Sequence, residues 1–159
     1  MAKTPEKPDA ARRTRPLKAE DLSEIVRIDA LHTGLRKRAY WSRVLGRFLK
    51  RDGRAARIGL AMEAPKGLAG YLLGEVRAFE FGSEPCGWIF AIGVAPDSAR
   101  LGVASLLLAE AVARFKARGV PRIRTMVRRN EVPVLAFFRS NGFRGGPFVQ
   151  LELDIEEVS

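Results

Sequence analysis

Residues 92–112, IGVAPDSARLGVASLLLAEAV, join the end of an apolar strand to a long apolar helix through a short loop. The loop contains Pro96, and the small residues Gly102 and Ala104 stand where the helix must begin. Glycine early in a helix costs about 1 kcal/mol relative to alanine, so its presence needs a reason. One reason is a ligand that approaches the backbone closely, and a helix N-terminus attracts anions above all. The stretch therefore predicts a strand–loop–helix unit with an anion site at the start of the helix.

The bulk composition is that of a globular protein. The chain has 159 residues, of which 47% are hydrophobic, and this suits a single domain over residues 14–159. No apolar run approaches the ~20 residues of a membrane helix, and the first residues lack the apolar core of a secretory signal. The Pro, Lys, Arg and Ala content of residues 1–13 predicts a disordered basic tail. Cys86 is the only cysteine, which excludes an internal disulfide. We expect a cytoplasmic protein without a metal.

The positive charge is concentrated in one segment. Residues 36–57 carry nine basic side chains and one acid, within a net charge of +10 for the chain. Apolar residues recur there at helical spacing, with basic residues on the opposite side: Tyr40, Trp41, Val44, Leu45, Phe48 and Leu49. The pattern predicts an amphipathic helix in which Tyr40 and Trp41 anchor the core. Its basic side has two interpretations, a solvated surface or a contact with nucleic acid, and the solvated surface is the commoner case.

Hydrophobic periodicity predicts the remaining elements. A first strand precedes an N-cap at Asp21, and a helix with Leu22, Ile25, Ile28 and Leu31 on one face ends before Gly34. Turn residues, among them Asp52 and Gly53, separate the elements that follow. These are strands over 54–64, 67–81 and 88–94, a helix over about 101–118, a strand over 122–127, a helix over 132–140 and a strand over 147–155.

The predicted order is β-α-α-β-β-β-α-β-α-β, an α/β fold of the α+β kind. Residues 88–94 are apolar on both sides of the strand, so we expect this strand to be central and covered on both faces. The fold is then a mixed, mostly antiparallel sheet of six to seven strands with helices on both faces.

Two blocks of sequence resemble one known family. The first is Val94-Ala95-Pro96 at a strand end, followed by Arg100-Leu101-Gly102-Val103-Ala104 at a helix start. The second is RRNEVPVLAFFRSNGFRGGPF, residues 128–148, which contains the Gly142-Phe143 pair. Together with the order of elements, these blocks resemble the GNAT superfamily of acyl-CoA N-acyltransferases. The resemblance covers the folded chain from about residue 14 to residue 155.

The resemblance implies a site for acetyl-CoA. Amides at the helix start would bind its pyrophosphate, while Gly102 and Ala104 keep side chains out of the way. The strand end would pair with pantetheine, which needs an edge opened beside the next strand, and a backbone N–H near Ile92 would stabilise the oxyanion. The cofactor-binding residues expected from the resemblance are Ile92, Gly93, Val94, Arg100, Leu101, Gly102, Val103, Ala104, Ser105, Asn130 and Phe138.

Three positions depart from the family's pattern. Ala99 stands where the family usually has Gln or Arg, with Arg100 beside it. Glu131 stands in the usual Asn place, with Asn130 one residue early. Phe138 stands where many members have a tyrosine that protonates the departing thiolate, and a phenyl ring has no proton to give.

The proton acceptor is expected from the residue types available. Glu75 lies in the middle of a predicted strand among apolar residues, which makes it the candidate general base. Its alternative role is an ion pair with Arg77. His32, the only histidine, is either a surface polar group or a contributor to catalysis or acceptor binding. Cys86 lies in a turn without a base nearby in sequence, so we expect it to be inert.

The sequence thus predicts a cytoplasmic N-acetyltransferase in which an amine attacks the thioester directly. Its partners would be acetyl-CoA and an amine acceptor, either a small molecule or a protein, and a homodimer is left open. One alternative is a CoA-binding module of low or no activity, consistent with Ala99, Glu131 and Phe138. Another is a basic protein that binds nucleic acid or the ribosome through residues 36–57, which no helix-turn-helix or aromatic-basic sheet signature supports.

Overall fold

The computed structural model describes residues 13–50 and 56–157. The predicted tail, apart from its last residue, and the predicted turn at Asp52 and Gly53 lie outside the described residues. The chain divides into two compact units, with the boundary between Met126 and Val127. The prediction of a single domain over 14–159 stays a prediction, and each unit is described by itself.

Among the described residues, the first unit contains five strands and three α-helices, and the second contains one α-helix. In chain order they are β1 (Thr14–Pro16), α1 (Leu22–Thr33), α2 (Arg38–Leu49), β2 (Arg57–Glu63), β3 (Leu68–Arg77), β4 (Cys86–Val94), α3 (Val103–Ala117), β5 (Ile123–Thr125) and α4 (Val132–Ser140). Of the helices described, none combines the length and the apolar character that a bilayer crossing requires.

The five strands form one sheet in the order β1-β2-β3-β4-β5. Neighbouring strands are antiparallel except β4 and β5, which are parallel, so the sheet is mixed and mostly antiparallel as predicted. Strand β4 is an interior strand between β3 and β5, although β3 is the middle strand of the five. The register between β3 and β4 shifts after Leu73, because Leu73 is opposite Ala91 while Gly74 is opposite Ile89. Phe90 is the extra residue of this β-bulge.

Helices α1 and α2 cover one face of the sheet. Their buried side chains form one cluster with Tyr71 and Leu73 of β3, and the Trp41 ring meets the Tyr71 ring edge-on at 5.6 Å. Asp29 joins the two helices, since its carboxylate accepts a hydrogen bond from Trp41 Nε1 at 2.9 Å and pairs with Lys37 Nζ at 3.0 Å. The prediction that Tyr40 anchors the core is wrong. Its side chain is exposed, and its ring meets the Trp41 ring edge-on. Other apolar residues of α2 form the buried face of the helix, and Tyr40 lies beside that face.

Helix α3 covers the opposite face, so helices lie on both faces as predicted. Phe115 of α3 is fully buried against β3 and β4. A Cβ at Gly74 would lie 3.0 Å from the Phe115 ring, and one at Gly87 would lie 2.9 Å from it. Two glycines therefore let the helix approach the sheet closely at this point.

Strand β1 is fastened to α1 by an ion pair. Arg15 donates to both carboxylate oxygens of Asp21 at 2.8 Å, and the backbone N–H of Lys18 donates to the same carboxylate. Burial acts to raise the pKa of Asp21, but these hydrogen bonds outweigh burial and hold that pKa below its usual value. Asp21, the predicted N-cap residue, thus stabilises the segment before α1 through its bonds to Lys18 and Arg15. Its side chain makes no capping hydrogen bond to the backbone of α1.

The second unit differs from the sequence prediction. Helix α4 forms as expected, and Phe138 is its buried residue, with its ring edge-on to those of Phe137 and Phe143. The predicted strand over 147–155 is absent from the described residues, so the sheet has five strands instead of six to seven and the topology ends at α4. A strand needs the backbone of a neighbour, and the second unit contains no strand among its described residues to supply one.

Candidate functional site

The interior strand β4 has an open edge over its second half. Strands β4 and β5 pair only from Gly87–Ile123 to Ile89–Thr125. The Thr125 hydroxyl closes this short ladder by donating to the Ile89 carbonyl at 2.9 Å. Beyond Ile89, β4 continues to Val94 with no further β5 pairing among the described residues. The opened edge that the sequence analysis required is therefore present.

The direction of the backbone groups on this edge follows from the β3–β4 ladder. Ala95 N donates to Ala69 O at 2.8 Å, and bonded and non-bonded pairs alternate along an antiparallel ladder. The pairs Gly70–Val94 and Leu72–Ile92 are consequently non-bonded. The N–H and C=O groups of Ile92 and Val94 therefore point away from β3, toward the open edge.

Gly93, between these two residues, has a packing role. A Cβ there would lie 2.6 Å from the ring of Tyr71, its partner on β3. The glycine lets the Tyr71 ring lie flat over β4, where burial raises the pKa of the phenol. Gly93 thus serves the packing of Tyr71 on β4, while its neighbours Ile92 and Val94 direct their backbone groups toward the open edge.

The loop after β4 leads directly to the start of α3. Residues Pro96–Ser98 form a turn of 3-10 helix, and Arg100 and Gly102 then adopt left-handed conformations, with φ of 63° and 76°. No side chain caps α3. The first backbone hydrogen bond of the helix is donated by Leu106 N to Gly102 O at 3.0 Å. The N–H groups of the three residues before Leu106 have no acceptor within the helix.

Space is open in front of this helix start. A Cβ at Gly102 would meet nothing within 4 Å. Glycine is needed there for its left-handed backbone, and the space beside it is open at the point where the helix begins. That an anion binds at this helix start stays a prediction.

His32 reaches the open edge from α1. Its Nε2 lies 2.7 Å from the Val94 carbonyl oxygen. A carbonyl only accepts, so Nε2 is the protonated nitrogen, and in the neutral ring Nδ1 keeps its lone pair. Helix spacing places His32 at the end of α1, but no sequence signal indicated this contact across 62 residues.

Glu75 occupies a different part of the sheet. It is opposite Trp88, near the start of β4, and its carboxylate lies 3.4 Å from Arg77. Arg77 in turn stacks on the Trp88 ring at 4.5 Å. The ion pair that the sequence analysis held as the alternative role of Glu75 is thus formed.

Most of the predicted cofactor residues lie in the first unit. Ile92, Gly93, Val94 and the segment from Arg100 to Ser105, which includes Leu101, form one continuous stretch of the first unit. Asn130 and Phe138 belong to the second unit. Cys86 is a buried free cysteine. Within residues 13–50 and 56–157, no group of three His, Cys, Asp or Glu side chains could hold a metal ion.

Comparison with known proteins identifies one family. The family model described as acetyltransferase (GNAT) family matches residues 23–143. No curated protein sequence matches the chain.

Solved structures share the fold. The aminoglycoside antibiotic 6'-N-acetyltransferase AAC(6')-IG from Acinetobacter haemolyticus is 18% identical with a TM-score of 0.72, over 90% of this chain and 99% of that chain. A probable acetyltransferase is 19% identical with a TM-score of 0.73, over 90% and 97% of the two chains. The aminoglycoside N-acetyltransferase AAC(6')-Iy in complex with CoA is 14% identical with a TM-score of 0.75, over 91% and 95%. At these identities the likeness shows the fold alone.

The strained loop generates a prediction about stability. Arg100 is held in a left-handed conformation that costs a non-glycine residue about 1–2 kcal/mol. Arg100→Gly relieves this strain, and the relief exceeds the stability that is lost because glycine is more flexible in the unfolded chain. We expect the free energy of unfolding to rise by about 0.5–1 kcal/mol, measured by urea denaturation. The neighbouring Ala99→Gly, at φ of −59°, is the matched control and should lower stability by about 0.5–1 kcal/mol. Equal losses for both variants would show that the loop is not strained at Arg100.

Proposed function

Because the chain belongs to the GNAT acetyltransferase family, we propose that it is an N-acetyltransferase that moves an acetyl group from acetyl-CoA to an amine. One observation carries the proposal: the open edge of β4 ends in a loop that leads directly to the uncapped start of α3. A strand edge that β5 does not pair with, beside a helix N-terminus, suits a ligand that has amides at one end and phosphates at the other.

The helix start would bind the pyrophosphate of coenzyme A. The amides of Val103, Ala104 and Ser105 are donors without helical acceptors, and the helix dipole favours negative charge there by about 0.3–1 kcal/mol. Arg100 is exposed in the same loop and supplies positive charge. It replaces the basic or amide side chain that the family pattern places at Ala99.

The open edge would bind pantetheine and polarise the thioester. Val94 and Ile92 each direct an N–H and a C=O toward the edge, although His32 already donates to the Val94 carbonyl. We assign the Ile92 N–H to the negative charge that develops on the acetyl carbonyl oxygen. A single such donor is worth about 2.7–4 kcal/mol of barrier in acyl transfer.

The reaction forms a nitrogen–carbon bond, breaks the carbon–sulfur bond and releases a proton from the amine. Acetyl-CoA supplies the acetyl group, and coenzyme A leaves as a thiolate. Phe138 cannot protonate that thiolate, so the proton must come from solvent or from another group. The amine proton requires an acceptor on the protein or a water chain that leads to one.

Two side chains are candidates for that acceptor. Glu75, expected from sequence, is three β3 residues from the Ile92 partner Leu72, about 10 Å along the strand, and is paired with Arg77. His32 contacts Val94, two residues or about 7 Å from Ile92, and its Nδ1 keeps a lone pair. Distance and freedom from an ion pair therefore favour His32.

The acceptor amine is constrained by charge. The outward side of α2 carries exposed basic residues, including Arg43 and Arg47, and the chain has a net charge of +10. Such a surface repels a polycation and attracts an acidic molecule. We propose an acceptor whose amine lies on a neutral or acidic molecule, in contrast to the polycationic aminoglycosides named for the structural neighbours.

Binding of acetyl-CoA can be measured as thermal stabilisation. A ligand present at a hundred times its Kd adds about 2.7 kcal/mol to stability, a Tm rise of several degrees. Gly102→Glu should abolish that rise, because its carboxylate fills the open space before α3 and repels phosphate. If acetyl-CoA leaves the Tm of the unchanged protein where it was, the proposal is wrong.

Gly119→Glu is the matched control for that variant. Gly119, beyond the end of α3, has a φ of 72° against 76° for Gly102, and a Cβ at either position would meet nothing within 4 Å. Both variants carry the same backbone strain and charge change. We expect equal losses of Tm without ligand, and a normal acetyl-CoA response in Gly119→Glu only. A normal response in both would show that the loop is only a turn.

The proton acceptor is tested by substitution at both candidates. His32→Gln keeps an N–H donor for Val94 O but has no basic nitrogen, so we expect kcat to fall by about 10²–10⁴-fold with KM for acetyl-CoA nearly unchanged. Glu75→Gln should leave kcat within a few-fold. A large fall in kcat for Glu75→Gln and a small one for His32→Gln would restore the sequence-based assignment.

A further inference from the structure

Tyr71 of β3 is almost fully buried, yet its hydroxyl makes no hydrogen bond with any residue that the structure describes. The side chain is 3% exposed, and the Trp41 ring covers it edge-on. In the described part of the chain, every side-chain nitrogen or oxygen that is shut off from solvent has a hydrogen-bond partner. The Tyr71 hydroxyl oxygen therefore keeps an open side, at the tip of a side chain that is otherwise enclosed. An unpaired hydroxyl in such a place indicates a ligand.

The Tyr71 ring crosses from β3 to β4 and places its hydroxyl over Gly93. The two residues are opposite each other in the β3–β4 ladder. The atoms nearest to a Cβ built at Gly93 are Cε1, Cζ and the hydroxyl oxygen of Tyr71, at 2.6, 2.7 and 2.9 Å. These atoms form the outer end of the side chain, so the ring points away from its own strand. The hydroxyl thus lies beside the part of β4 whose edge is open.

The position of Gly93 along β4 matches the position of the sulfur in acetyl-CoA. In the proposed complex, the pyrophosphate lies at the start of α3, pantetheine lies at Val94 and the acetyl oxygen lies at the Ile92 N–H. Sulfur joins pantetheine to the acetyl carbon, so it lies between Val94 and Ile92. These residues are about 7 Å apart along the strand, with Gly93 midway. All of these residues belong to the first unit.

We propose that the Tyr71 hydroxyl donates a hydrogen bond to the sulfur of acetyl-CoA and stabilises the departing thiolate. The inference rests on the proposed function, and it gives the sulfur a donor that the phenyl ring of Phe138 cannot be. The amine nitrogen bonds to the acetyl carbon, and the electron pair of the carbon–sulfur bond stays on sulfur. The amine proton goes to the acceptor, for which His32 is favoured. The phenol keeps its own proton, and solvent protonates the thiolate after it has left.

The surroundings of Tyr71 keep the phenol protonated, as a hydrogen-bond donor must be. Burial raises the pKa of the phenol, and Asp29 and Tyr40 act in the same direction. Asp29 is itself paired with Lys37 and accepts a hydrogen bond from Trp41. A hydrogen bond to an anion is stronger than one to a neutral acceptor. The Tyr71 hydroxyl therefore favours the thiolate over the thioester, which lowers the barrier to transfer.

The hydrogen bond is tested through the thiol pKa of bound coenzyme A. Coenzyme A presents the same sulfur, and its thiolate is followed by ultraviolet absorbance as the pH rises, after subtraction of the protein alone. Tyr71→Phe removes the hydroxyl and keeps the ring over Gly93. We expect Tyr71→Phe to raise the pKa of the bound thiol, with an acid dissociation constant lower by about tenfold or more, because a hydrogen bond to a charged group is lost.

Tyr40→Phe is the matched control. Tyr40 and Tyr71 are the two tyrosines of the chain, and both rings meet Trp41 edge-on. Tyr40 lies outside the proposed site, so Tyr40→Phe should leave the pKa of the bound thiol unchanged. Without ligand, Tyr71→Phe should keep the Tm of the unchanged chain, since the hydroxyl has no partner among the described residues. A hydroxyl with a structural role would lower that Tm when removed.

Failure of this inference can be told apart from failure of the proposed function. Coenzyme A that does not raise the Tm of the unchanged chain overturns both. Coenzyme A that binds the unchanged chain and Tyr71→Phe with the same thiol pKa overturns this inference alone. A lower Tm of Tyr71→Phe without ligand has the same consequence, because it shows that the hydroxyl serves the fold.

Discussion

The parting of β4 from β5 after Ile89 is the constraint on which the rest of the site depends. A parallel ladder of three residue pairs holds the two strands together at one end, and the Thr125 hydroxyl ends it. Had the pairing continued, the N–H and C=O groups of Ile92 and Val94 would be used up within the sheet. Because it stops, an interior strand with helices on both of its faces keeps an edge in its own plane that β5 does not cover.

The loop after Val94 turns this edge into a site of two parts. Two left-handed residues, Arg100 and Gly102, bring the chain round so that α3 begins at the end of the open edge. Glycine adopts that conformation at little cost, whereas arginine does so under strain. Strain of this kind persists where the surrounding structure holds it and often marks a functional position. Binding of a phosphate by the Arg100 guanidinium would explain why arginine occupies this strained position.

Much of this could be predicted from sequence, because hydrophobic periodicity and turn residues are local signals. They located all four helices and the five strands to within a few residues. The loop composition also predicted that α3 begins directly after the loop, where the structure shows no side-chain cap. The open edge itself was expected only through the family resemblance, since nothing local in residues 122–127 shows that pairing stops at Thr125.

What failed or was missed depends on contacts between distant parts of the chain. The alternation in residues 147–155 is a genuine strand pattern, but a strand forms only where another backbone is available. Tyr40 fits the apolar stripe of α2 and yet is exposed, because amphipathic spacing does not say where the stripe ends. The contact of His32 with Val94 joins residues 62 apart, and it is the reason we propose His32 instead of Glu75 as the proton acceptor.

The most direct test of the account is amide hydrogen exchange of β4, followed by NMR with and without saturating coenzyme A. The amides of Ile92 and Val94, which face the open edge, should become protected together with those of Val103, Ala104 and Ser105. The amide of Gly93, which faces β3, should exchange at the same slow rate in both states. Coenzyme A that binds while the Ile92 and Val94 amides exchange as before would contradict the account.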